Sequence, residues 1–117
     1  MRTLPIPEFF NPNEVGEISF VDYNTLHNEV KPYLRQHNIP LACDNNDAPK
    51  ILLVGVDQQL TFIHPKGQLP VLGAIEDSRR FCEFLYRNAH LIHGVLQTLD
   101  THGPYQLFHS CWLADND

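Results

Sequence analysis

The sequence predicts an α/β domain built on a parallel sheet, and three segments carry that reading. The run Ile51-Leu52-Leu53-Val54-Gly55-Val56 is continuously apolar, with no polar alternation, which suits a strand covered on both faces as in parallel sheets. Residues 74–89 carry apolar side chains at helical spacing, and residues 91–99 return as a second strand. Strand, loop, helix and strand in that order make a βαβ unit, whose crossover is expected to be right-handed.

Composition sets the frame around this unit. The 117 residues suffice for one domain, and two would not fit. With 43% apolar and 19% charged residues, seven Phe, four Tyr and one Trp, the chain has the makings of a folded core. A formal charge of −6 argues against a nucleic-acid partner, because counterion release from phosphates needs a basic footprint. No apolar stretch approaches the length of a signal peptide or a membrane span, so no membrane partner is expected. Three cysteines, Cys43, Cys82 and Cys111, fall in no CxxC pattern, and a reduced cytoplasmic setting is the expectation.

Taken in order, residues 1–20 hold Pro5, Pro7 and Pro12 among Phe9, Phe10, Val15, Ile18 and Phe20, an extended arm whose aromatics need a body to wrap. Between Thr25 and His37, Leu26, Val30, Tyr33 and Leu34 recur at helical spacing, but Pro32 predicts a kinked helix or one starting near Lys31. Residues 38–49 read as a polar, turn-rich linker, which divides the chain into an arm region over 1–47 and a sheet-bearing region over 48–117. After the first strand, Pro65, Gly67, Pro70 and Gly73 make residues 58–73 a long loop across its C-terminal end. The following helix places Ile75, Ser78, Cys82, Leu85 and Tyr86 on one face, widened by Phe81 and Phe84, with Glu76 and Asp77 at the positive end of its dipole.

The chemistry-bearing residues gather where the two strands end. Asp57 directly follows the first apolar run and Asp100 closes the second, so both carboxylates lie at the sheet edge where open α/β folds bind ligands. Asp57 has two readings, a tuned proton-exchanging carboxylate or a loop hydrogen-bond acceptor, and beside it Gln59 and Phe62 are candidates to orient the group and wall a pocket. Asp100-Thr101-His102 puts a carboxylate and an imidazole two residues apart, and His109 follows seven residues on. Such a set makes an open divalent-metal site with exchangeable positions, or else a pair of solvated loop histidines. His64, His90 and His93 are weaker candidates, Cys82 reads as core, and Cys111 stands near His109 without any spacing that defines a nucleophile pair. No phosphate-binding glycine loop is present in the sequence.

Three motifs together carry a family resemblance: Val56-Asp57-Gln58-Gln59-Leu60-Thr61-Phe62, then Gly67-Gln68-Leu69-Pro70-Val71-Leu72-Gly73-Ala74, then Thr98-Leu99-Asp100-Thr101-His102. In this order they resemble the isochorismatase-like cysteine hydrolases, and within them the nicotinamidase branch. The resemblance covers residues 50–112 and implies a three-layer α/β/α fold with a parallel sheet, of which only the first part is represented here. It further implies amide hydrolysis of a small, nicotinamide-like substrate, in which a Cys thiolate attacks the carbonyl, Asp57 exchanges a proton with it and a Lys assists. Asp100, His102 and, with a less regular spacing, His109 match the branch's ligands to zinc or iron.

The departure from the pattern matters as much as the match. Cys43, Cys82 and Cys111 do not match the nucleophile's motif, and Lys50 and Lys66 do not match the lysine's. The expectation is therefore the front part of a hydrolase that is inactive alone. The alternative is a non-catalytic metal- or ligand-binding module that pairs with another chain or with its own copy.

Overall fold

The computed structural model describes residues 3–18, 22–39 and 50–101, and these form a small α/β structure of three helices and a two-stranded parallel sheet. The linker expected over 38–49 lies mostly outside the described residues, as do Cys43, His102, His109 and Cys111. Among the described residues no helix is long and apolar enough to cross a membrane.

The proline-punctuated arm does lie against a body. Leu4, 1% exposed, donates its N–H to the Arg87 carbonyl at 2.9 Å, which satisfies a carbonyl at the end of the long helix that follows the first strand. Phe9 meets Tyr33 and Tyr86 edge-on at 6.0 and 5.9 Å, and Phe10 packs on Tyr86 at 5.1 Å. Further along, the Pro12 carbonyl accepts from Arg79 Nε at 2.7 Å, and Gly16, at φ +91°, has room for no more than a light contact with Ile75. Prolines suit this course because they fix φ and need no hydrogen-bond acceptor.

The first helix, α1, runs continuously over Tyr23–Gln36 with Pro32 inside it, so the alternative of a start near Lys31 is corrected. Pro32 removes the amide that would donate to the Asn28 carbonyl, and Asn28 is an exposed residue, where the loss costs less than in a buried helix. Asp22 starts the helix by accepting from the Asn24 N–H at 3.0 Å and the Thr25 hydroxyl at 2.7 Å. These bonds hold its carboxyl below the usual carboxylate range, the Thr25 hydroxyl contributing most.

Strand β1 (Ile51–Gly55) and strand β2 (Ile92–Gln97) pair in parallel, as the βαβ reading requires, within slightly narrower bounds than the apolar runs. The register opens at Ile51↔Ile92, shifts by one residue, and continues from Leu52↔Gly94 to Gly55↔Gln97. Gly94 makes room for Leu52, whose Cδ1 would stand 3.2 Å from a side chain there, and the Gln97 carboxamide covers Gly55. The expectation of a strand covered on both faces is not met among the described residues. Leu52, Val54 and Leu96 are 60%, 46% and 50% exposed, because no described helix lies over that face.

The segment expected to be a loop over 58–73 contains a turn of helix, α2 (Leu60–Ile63), another correction. No proline or glycine falls between Gln58 and His64, so one turn forms before Pro65 and Gly67 end it. Gly67 then folds back onto the carbonyls of Leu60 and Thr61, so closely that any side chain would collide with them. Helix α3 (Ala74–Arg87) follows the predicted bounds closely, starting after Gly73 at φ +83° and ending at Asn88, whose side chain donates to the Phe84 carbonyl at 2.7 Å. Ser78 is its buried residue, at 5% exposure, while Phe84 stays exposed.

Candidate functional site

Both strand ends deliver their acidic residues to the same edge. Asp57 lies two residues beyond β1 at φ +54°, the left-handed region that Asp tolerates better than most side chains because it bonds locally. That conformation turns the chain sharply out of the strand. Its carboxylate is half-buried and its Oδ1 accepts from the Thr98 hydroxyl at 3.1 Å. The Thr98 oxygen in turn accepts the Asp57 N–H at 3.0 Å.

The next two residues each reach a different element. Gln58 accepts from the buried Ser78 hydroxyl at 2.7 Å, which satisfies the single polar group on the buried face of α3 and fixes that helix to the end of β1. Gln59 clasps the main chain of Asp100 on both sides: its Oε1 accepts the Asp100 N–H at 2.7 Å and its Nε2 donates to the Asp100 carbonyl at 3.2 Å. Asp57, Gln58 and Gln59 thus tie the end of β1 to β2, to α3 and to the segment after β2. Gln59, a candidate to orient the Asp57 carboxylate, bonds to Asp100 instead, and the group on the carboxylate is Thr98.

A cavity of about 540 Å³ opens beside these ties, within the size range of small-molecule pockets. Its lining includes the polar Asp57, Gln58 and Arg80 and the apolar Phe62, Ile63 and Leu72. Arg80 pairs with Asp77 at 3.1 Å, but both side chains are about 70% exposed, so the pair is solvent-screened. Phe62 is among the residues that line this cavity.

Of the expected metal ligands, Asp100 alone falls among the described residues. His102 and His109 lie outside them, and the described residues hold no group of three His, Cys, Asp or Glu side chains suited to an ion. The described residues thus do not by themselves make up a fit for zinc or iron. Two other histidines serve structure: His64 Nδ1 accepts the Lys66 N–H at 3.0 Å within its turn, and His93 Nδ1 accepts the Ile51 N–H at 3.2 Å across the sheet. Cys82 sits half-buried on α3, and burial pushes its thiol pKa up, the opposite of what a nucleophile needs.

The polar residues that sequence reasoning left without a role are Thr98, Gln58 and the Ser78 hydroxyl. Their signal was faint but present: a polar residue at a strand end, and a lone serine on an apolar helix face, each call for a hydrogen-bond partner. No protein-family model, curated protein or solved structure matches the chain.

Proposed function

We propose that residues 50–101 form the proton-exchange side of an amide-hydrolase site of the isochorismatase-like, nicotinamidase-like kind, within the first part of a three-layer α/β/α fold. The observation that supports this reading is the half-buried Asp57 carboxylate, which is held by the Thr98 hydroxyl and lines a cavity together with Phe62. A planar aromatic amide of nicotinamide size suits a pocket whose lining combines apolar side chains with a carboxylate and a carboxamide. In this reading Asp57 takes a proton from a thiol as it adds to the amide carbonyl and returns it to the departing nitrogen. Asp100, His102 and His109 are the proposed zinc or iron ligands.

The thiol and the lysine have no match among Cys43, Cys82, Cys111, Lys50 and Lys66. The chain is accordingly proposed to be inactive alone and to rely on a complementing chain. The exposed apolar face of Leu52, Val54 and Leu96 supports such pairing. The second reading, a binding module without catalysis, is favoured by the raised pKa of the half-buried Cys82 thiol.

Incubation with nicotinamide separates the two. The chain alone is expected to bind the amide and release no ammonia. Ammonia release that disappears in Asp57→Ala would remove the binding-module reading and place a nucleophile within the chain. Failure of nicotinamide to bind at all would remove the hydrolase reading.

A further inference from the structure

The group that most constrains Asp57 is one to which neither the motifs nor the resemblance gives a role. Thr98 immediately follows β2, and its N–H donates to the Gly55 carbonyl at 2.9 Å, which fixes its backbone against the end of β1. Its Oγ1 accepts the Asp57 N–H at 3.0 Å and donates to Asp57 Oδ1 at 3.1 Å. One hydroxyl therefore grips the main chain and the side chain of the same residue, so that backbone φ and carboxylate orientation are set together.

Direction follows from the chemistry of the group. A hydroxyl has a single proton, and a hydroxyl that accepts from an N–H keeps that proton for the carboxylate. The branched Thr98 side chain has few rotamers, so the strand that carries it also aims the hydroxyl. Oδ1 is thereby engaged, whereas Oδ2 has no hydrogen-bond partner among the described residues.

We infer that Thr98 is a positioning residue that occupies Oδ1 of Asp57 and leaves Oδ2 as the oxygen through which the proton is exchanged; this rests on the reading of Asp57 as the proton-exchanging carboxylate. The step is balanced: Oδ2 accepts the thiol proton as the sulfur–carbon bond forms, and gives it to the nitrogen as the carbon–nitrogen bond breaks. The left-handed backbone at Asp57 belongs to the same device, since φ sets where the side chain lies relative to the N–H and Thr98 engages both.

The test is NMR on the 117-residue chain as wild type, Thr98→Val and Thr98→Ser, with nicotinamide as the probe. In Thr98→Val the Asp57 amide is expected to exchange about tenfold faster, as the loss of one net hydrogen bond implies. The Asp57 carboxyl carbon resonance should move and nicotinamide binding should weaken about fivefold, a smaller share of that same bond. Thr98→Ser, which keeps the hydroxyl, should restore all three, and the amides within β1 and β2 should be alike in every form. If Thr98→Val loses the strand amides, Thr98→Ala replaces it. Asp57 resonances that are the same in Thr98→Val and wild type would overturn the inference, as would altered resonances with unchanged nicotinamide affinity. A wild-type chain that binds no nicotinamide overturns the hydrolase reading, while the Asp57 resonances still decide whether Thr98 holds the carboxylate.

Discussion

Ser78 and Gly67 show how single positions secure the site from behind. Ser78→Ala leaves the Gln58 carboxamide without its buried donor and is expected to cost about 1–2 kcal/mol in urea unfolding, the range for an unmade buried hydrogen bond. Gly67→Ala drives a methyl group into the carbonyls of Leu60 and Thr61, and the turn that positions Phe62 must open; a loss of at least about 1 kcal/mol follows, in the range for overpacking. Burial also raises the pKa of Cys82, and of Tyr86 with added repulsion from Cys82 and Tyr33. The folded state thus holds these protons longer than the unfolded one. Their stabilising share is complete below the ordinary values of 9.0 and 10.0 and fades as pH climbs through the raised ones. Urea midpoints should fall above about pH 9, beginning with the thiol, and the first part of that fall should be absent in Cys82→Ala. At this scale the sequence spoke through types: Asp57 and Asp100 stood out as carboxylates after apolar runs, whereas Thr98 and Gln58 acquire meaning only from what they touch.

Among the elements, β1, α3 and β2 were the most legible, because their apolar periods agree with the structure they take up. Pro32 misled for a physical reason: a proline weakens a helix by withholding one hydrogen bond, and on an exposed face water makes good part of that loss. The turn of α2 was hidden by the prolines and glycines around it, which mark where helix must stop rather than where it is absent. The arm is held to α3 by a few contacts, of which Leu4 is the deepest. Leu4→Ala should therefore cost about 2–4 kcal/mol, somewhat less where the arm can collapse into the gap, measurable as a lowered urea midpoint. Replacement of Tyr86 by Leu removes the edge contact to Phe9 and the tilted contact to Phe10 and should cost about 1 kcal/mol more than its lost area alone.

At the scale of the whole molecule, the described residues leave Leu52, Val54 and Leu96 on an open sheet face, next to an edge that has no further strand. A face of this kind favours association, and Leu52→Lys with Leu96→Lys should lower the apparent mass in sedimentation without loss of helix signal. The sequence pattern asked for cover on both faces of β1, and that demand is the legible trace of a larger α/β/α arrangement in the proposed reading. What the pattern could not convey is how the two strand ends meet: the ties from Asp57 to Thr98 and from Gln59 to Asp100 span 41 residues of chain each, and no local period encodes them. The proposal that these ends form an amide-binding site is tested most directly by nicotinamide titration of the labelled chain followed by NMR, with Asp57→Ala alongside. The predicted result is saturable shifts at Asp57, Gln58 and Phe62 that vanish in the variant. Shifts that spread without saturation, or that persist unchanged in Asp57→Ala, would contradict it.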